Sequence, residues 1–337
     1  MNAANNSNRI LVVVDVNADD HPAIDRAMTL ACQLGMGIDL FSCQHETPLA
    51  SNALGTFVAY EINCEERLQA VLRKLRELAA PYAEQGIDIS IDAAWDTPQY
   101  EGIIREAVRT RARYVLKETH YHSAIARALF SHTDWQLIRN CPAPLWLVKH
   151  GKKLDAPKII AAVDPMHENA KPASLDLRIL SEAASLAGQF DGQLHAVHIF
   201  DSSTLIAAAA TSVIATGPIP VEDITHDAAQ THAKALHELA DQFGLPASNI
   251  HMPAGLTSDL LPNIAHELDA SLVIMGAISR SRLERVFVGS TAERVLDHLP
   301  CDTLIVKPSG FTSSIDATSA PASYWHIEQQ HVFANAA

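Results

Sequence analysis

The chain lacks the features that would place it in several broad classes. Its five cysteines, Cys32, Cys43, Cys64, Cys141 and Cys301, form no CxxC and no pairing pattern. A disulfide-stapled framework is therefore excluded, and the thiols read as small buried apolar groups in a reducing cytoplasm. Positive charge is scarce: 25 Lys and Arg stand against 39 Asp and Glu, a net charge of −14. Residues 1–150 carry 14 basic and 18 acidic groups, and the remainder carries 11 and 21. No basic run or patch exists, which excludes non-specific nucleic-acid binding, since that depends on neutralising phosphates. Long apolar runs are missing too. The longest, LIAAAATSVIAT at 205–216, is too short to span a bilayer. Residues 1–8 are polar without an apolar core, so no secretory signal and no membrane span are expected. GxSxG, HExxH and any nucleophile–base–acid set are absent, so no enzyme is expected beyond slow hydrolysis of a bound nucleotide.

What is present is a chain of 337 residues that is 48% hydrophobic, enough for two domains with sizeable cores. Two similar halves can be read along it. The first opens with the strand RILVVVDV (9–16), ending near Asp15. A helix over 21–34, a strand over 37–44 and a long helix over 61–85 follow. On that long helix Leu68, Val71, Leu72, Leu75, Leu78 and Ala79 recur at i, i+3, i+4 spacing. A strand at 87–95, a helix at 99–110, a strand at 113–117, a helix at 134–140 and a strand at 144–150 complete the half. The second half opens with KIIAAVDP (158–165), Asp164 standing where Asp15 stood. It repeats the same order, with strands at 193–200, 271–276 and 302–308 and helices at 228–243 and 290–299.

The ends of the halves align without a gap. Residues 112–149 lie over 270–307 with eight identities, among them Ser123/Ser281, Arg127/Arg285, Thr133/Thr291, Pro142/Pro300 and Lys149/Lys307. Repetition at this length means a duplicated domain. Strands alternating with helices imply right-handed βαβ units and parallel sheets covered on both faces. The expected organisation is a first domain over 1–150, a second over 151–308 beginning in the short linker GKKLDAP, and a tail over 309–337 with a docked turn at Tyr324-Trp325. The short linker predicts that the two domains pack together as a pseudo-dimer. The chain could also form a homodimer.

Three features together resemble the universal stress protein family in its tandem two-domain form. Each half opens with a strand ending in VVVDV or AAVDP. Each has the order two strands, long helix, strand, helix, strand. The second half carries Gly276 and Gly289-Ser290 in a loop before a final IVKP strand. The resemblance covers about residues 9–308. It implies two tandem open parallel-sheet α/β domains, Rossmann-like and of the adenine nucleotide alpha hydrolase-like type, in a cytoplasmic stress-response protein. Nucleotide-binding members use Gly-x2-Gly-x9-Gly-Ser/Thr. Gly276, Gly289 and Ser290 match that pattern here, while Ser279 replaces the second glycine. The resemblance further implies that Val163, Asp164 and a residue ending the second strand, Ala196 or Val197, hold adenine and ribose. ATP, with magnesium, is the implied cofactor of the second domain.

The physics of the loop allows this and also allows a ligand-free reading. Gly289, Ser290 and Thr291 at a helix start offer N–H groups, hydroxyls and the positive dipole end to an anion, and Arg280 adds charge. Yet Ser290-x-x-Glu293 is also a capping box, which satisfies the helix start by itself. In the first domain the aligned positions are Glu118, Tyr121, Ser131 and His132, so no nucleotide is expected there, although Thr133-x-x-Gln136 offers a capping box. Thr257-Ser258-Asp259 reads as a further helix cap. His120, His122 and His132 in the same degenerate loop are a weaker metal-binding candidate. LIAAAATSVIATGPIP (205–220) is either a packing helix or the wall of an apolar pocket. Two alternatives to nucleotide binding therefore stay open: a scaffold acting through protein contacts, and a carrier of an apolar metabolite or metal ion.

Overall fold

A computed structural model describes residues 8–45, 56–122, 127–149, 151, 153–166, 173–202, 221–277, 290–317 and 324–332. The chain divides into two compact units. Unit 1 comprises residues 1–121, 129–150 and 311–337, and unit 2 comprises 122–128 and 151–310.

Unit 1 runs β1 (Arg9–Val13), α1 (Pro22–Leu34), β2 (Gly37–Gln44), α2 (Thr56–Ala83), β3 (Ile89–Trp95), α3 (Gln99–Arg109) and β4 (Tyr114–Glu118). Short strands β5 (His120–His122) and β6 (Arg127–Leu129), which overlap the 122–128 segment assigned to unit 2, come next in the chain, and unit 1 resumes with α4 (His132–Asn140) and β7 (Leu145–Val148). Its sheet has the order β7-β4-β1-β2-β3, all parallel. The strands are largely buried, and every residue of β1 and β3 is buried. That explains the continuous apolar runs, since helices cover both faces. The α2 stripe faces inward as its spacing demands: Leu68, Val71, Leu72, Leu75 and Ala79 are buried, and Leu78 lies at the margin. Helix α1 starts with Pro22 in its first turn and stops at Gly35, whose left-handed φ of 63° suits glycine.

One charged network lies inside this sheet. Arg9 Nε donates to Asp39 Oδ1 at 2.7 Å, and its Nη2 donates to Ser90 Oγ at 2.6 Å and Ile38 O at 2.8 Å. Its remaining nitrogen, Nη1, pairs with Asp88. Asp39 is fully buried, so the guanidinium is what makes its charge tolerable.

Unit 2 runs β8 (Lys158–Ala162), α5 (Ala173–Gln189), β9 (Gln193–Val197), α6 (Val221–Asp241), β10 (Ile250–His251), α7 (Thr257–Glu267), β11 (Leu272–Gly276), α8 (Ser290–His298) and β12 (Asp302–Val306). Its sheet order is β10-β9-β8-β11-β12, again all parallel. The duplication is visible in the elements: β4 and α4 begin at 114 and 132, and β11 and α8 begin at 272 and 290, the offsets of the gapless alignment.

The segment after residue 310 differs from the expected tail. It returns to unit 1, where β13 (Trp325–Val332) pairs antiparallel with β3. An open parallel sheet leaves β3 with an unpaired row of N–H and C=O groups, and the C-terminal strand satisfies them. No described helix is long and apolar enough to cross a membrane.

Candidate functional site

The residues expected to form the site follow β8, β9 and β11 in unit 2, at the carboxyl end of the strands, where open parallel sheets generally bind ligands. Val163 follows β8, is buried, and its N–H donates to Val197 O at 3.0 Å. The Asp164 N–H donates to Asp176 Oδ1 at 3.0 Å, Asp176 being a buried residue in the first turn of α5. Both Asp164 carboxylate oxygens are closed to solvent and have no hydrogen-bond partner among the described residues. A buried polar group without a partner costs roughly 1–3 kcal/mol, more if charged. Folding alone does not account for an aspartate in that position.

The partner residues are arranged more modestly. Ala196 and Val197 are 0% and 2% exposed, so their side chains belong to the core. The next residue, His198, reads from the sequence as a surface or satisfied core group. Its Nδ1 lies 3.2 Å from Val163 O, and its Nε2 lies 2.8 Å from His232 Nδ1 on α6. The two imidazoles stack at 5.1 Å, and Phe200 packs edge-on against His232. This buried pair stands one residue from Asp164. Nothing in its spacing marks it, because the two histidines meet only when α6 packs on β9.

Gly276 ends β11 and pairs with Val306. A Cβ there would lie 2.6 Å from Leu175 Cδ2 and 3.0 Å from its Cγ. Close packing of α5 thus requires the glycine whether or not a phosphate is nearby. Ser279, Arg280 and Gly289 lie outside the described residues. Ser290 and Thr291 open α8, and their side chains, like that of Glu293, are outside the description.

The equivalent positions of unit 1 are satisfied locally. Asp15 is exposed, and its Oδ1 accepts from the Asn17 N–H at 3.0 Å, a local turn that satisfies it. Helix α4 is capped by its own carboxylate. Ser131 Oγ accepts from the Asp134 N–H at 3.2 Å, while Asp134 Oδ2 accepts from the Ser131 N–H at 2.7 Å. The expected box at Thr133 and Gln136 is therefore displaced by two residues. The helix begins at His132, and a charged Asp134 answers the helix dipole better than a neutral Gln136. Lys117 Nζ pairs with Asp134 Oδ1 at 2.9 Å. This helix start already holds its anion.

Two other expectations are corrected or fall outside the description. Helix α7 takes Leu256 as its N-cap with no side-chain cap, because Ser258 Oγ donates to Asp259 Oδ1 instead of capping the backbone. His132 is exposed and lies 3.4 Å from Gln136 Nε2, while the side chains of His120 and His122 are outside the description. Residues 205–216 are also outside it.

Comparison with known proteins agrees with this architecture. The universal stress protein family model matches residues 6–149 and again 157–307. The chain is similar to universal stress protein E of Photorhabdus laumondii, 31% identical over 93% of this chain and 98% of that one. It is similar to universal stress protein E of Escherichia coli K12 at 29% identity over 91% and 96%. Among solved structures, a universal stress protein from Archaeoglobus fulgidus superposes with a TM-score of 0.60 at 16% identity, covering 89% of this chain and 98% of that one. A Pseudomonas aeruginosa PAO1 protein of unknown function gives 0.64 at 23% identity, covering 89% and 92%. With one family model matching both halves and tandem relatives matching nearly end to end, the chain belongs to the universal stress protein family.

Proposed function

We propose that the protein is a cytoplasmic stress-response regulator that binds an adenine nucleotide, ATP with magnesium, in unit 2 and none in unit 1. The observation that carries this reading is the Asp164 carboxylate, closed to solvent and without a partner among the described residues, just after β8. Ribose hydroxyls are the donors such a group lacks. The strand end at Ala196 and Val197, with Val163, would flank the base. Gly276, Ser279, Arg280, Gly289, Ser290 and Thr291 would receive the phosphates on backbone N–H groups, hydroxyls and one guanidinium. The filled helix start and self-satisfied Asp15 of unit 1 argue for a single site.

The test is a thermal melt and calorimetric titration of the purified chain with ATP and magnesium. A ligand at a hundred times its Kd raises stability by about 2.7 kcal/mol. Asp164→Ala should remove the shift, and Asp15→Ala should leave it. Absence of any bound nucleotide together with no melting shift refutes the reading.

A scaffold acting through protein contacts is the second reading. It is favoured by one observation: Leu175 packing explains Gly276 without any ligand. Under it, neither Asp164→Ala nor added ATP alters partner binding.

A further inference from the structure

A second cluster of chemistry lies in unit 1. Strand β13 places His326 opposite Ala94 of β3. Side chains alternate along a strand, so Asp92, two residues before Ala94, shares that face and stands diagonal to His326. Ala94 has no bulk to separate them. Helix α3 contributes Glu106 and Arg109 to the same place. His326 Nε2 lies 2.8 Å from Asp92 Oδ1 and 3.9 Å from Glu106 Oε2. One donor atom from each of the three residues falls within 4.8 Å of the others. No other group of three His, Cys, Asp or Glu meets that condition among the described residues.

Two further facts separate this from an ordinary acidic patch. Asp92 and Glu106 are both fully buried. The His326 Nε2 is closed to solvent and, among the described residues, makes no hydrogen bond, although it lies at ion-pair distance from Asp92. A ring nitrogen directed at two buried carboxylates gathers one nitrogen and two oxygen donors around a single point, which is the arrangement a cation can bridge.

We propose that Asp92, Glu106 and His326 form a binding site for a divalent transition metal of the zinc class. One imidazole with two carboxylates suits zinc, manganese or iron better than the all-oxygen preferences of magnesium and calcium. Bonds of about 2.0–2.2 Å to a tetrahedral ion put donors roughly 3.3 Å apart, and the two distances to His326 bracket that value. Arg109 is the competitor. Its Nη2 lies 2.5 Å from Asp92 Oδ2 and 2.6 Å from Glu106 Oε1, and its Nε lies 2.8 Å from Glu106 Oε2. It neutralises one of the two carboxylate charges in the metal-free protein. Its side chain is 42% exposed in the last turn of α3, so it has a path to solvent when a dication replaces it. Binding would join the C-terminal strand to β3 and α3 through a metal instead of an ion pair.

The experiment is calorimetric titration of the metal-stripped full-length chain with zinc, with magnesium as control and thermal melting alongside. One zinc per chain should bind and raise the melting temperature, while magnesium does neither. His326→Ala should weaken zinc binding at least tenfold, as should His326→Gln, which keeps the size and polarity of the side chain if the alanine variant folds poorly. Arg109→Ala should tighten binding, which a purely structural ion pair does not explain. No stoichiometric binding, or binding that survives both His326 variants and follows His120 and His122 instead, overturns the proposal.

Discussion

Asp176 holds Asp164 by its backbone and leaves its side chain unpaired. The Asp164 N–H donates to Asp176 Oδ1 at 3.0 Å, and both Asp164 side-chain oxygens remain buried without donors among the described residues. Asp176 also sits in the first turn of α5, where a negative charge is favoured. Opposite mutational effects are expected at the two positions. Asp164→Asn should stabilise the ligand-free protein by about 1 kcal/mol, because it removes an uncompensated buried charge. Asp176→Asn should destabilise it by about 1–3 kcal/mol, because a charge-assisted bond weakens. Urea melts of both variants check the signs; destabilisation by Asp164→Asn would show that its carboxylate has a partner.

Gly276→Ala tests packing separately from phosphate binding. The added Cβ meets Leu175 Cδ2 at 2.6 Å. Overpacking of this kind costs about 1–3 kcal/mol. Leu175→Ala in the same chain should restore part of the loss relative to either single change. A double-mutant cycle that shows simple additivity would remove Leu175 as the cause.

Arg9→Met leaves Asp39 buried without its guanidinium and Ser90 without its donor. Breaking one partner out of a buried pair costs about 3–5 kcal/mol. The midpoint of denaturant unfolding should fall accordingly, with the slope unchanged. Arg9→Met with Asp39→Leu should recover much of the loss, because the orphaned charge is gone.

Acid should destabilise unit 2 through one histidine pair. His195 Nδ1 and His251 Nε2 lie 3.1 Å apart and stack. Burial holds His195 below the ordinary imidazole value of 6.5, with His251 and Lys158 adding to the effect, and burial lowers His251 as well. A base held low takes its proton later when folded than when unfolded. The unfolded state therefore binds more protons below pH 6.5, and stability falls as pH falls through that range. Melting temperatures between pH 7 and about pH 5 should drop less steeply in His195→Gln/His251→Gln than in the parent. Parallel curves would remove the pair as a source of acid sensitivity.

The duplicated α/β architecture was legible because it is written in local periodicity and in one gapless alignment. The 38 residues from 112 and from 270 share their strand and helix offsets in the structure. The α2 stripe was legible for the same reason. The helix start in unit 1 lies two residues before the Thr133 pattern, since SHTDWQ offers two overlapping capping patterns and the charge of Asp134 favours the earlier one. Asp164 was legible as a position, by its place after β8, but not as an unsatisfied group. Satisfaction depends on what α5 brings to it.

Sequence alone determined the fold class, the two halves and the loss of the glycine pattern in the first, since each rests on neighbours along the chain. Tertiary structure alone decided where the C-terminal strand goes and which titratable groups meet. WHIEQQHV carries polar residues on both faces, so no period marks it as a strand. The open edge of β3 selects it by backbone hydrogen bonding, which is blind to side chains. His326 then reaches Asp92 and Glu106, and His198 reaches His232, through packing between elements distant in sequence. Such meetings leave no spacing to read.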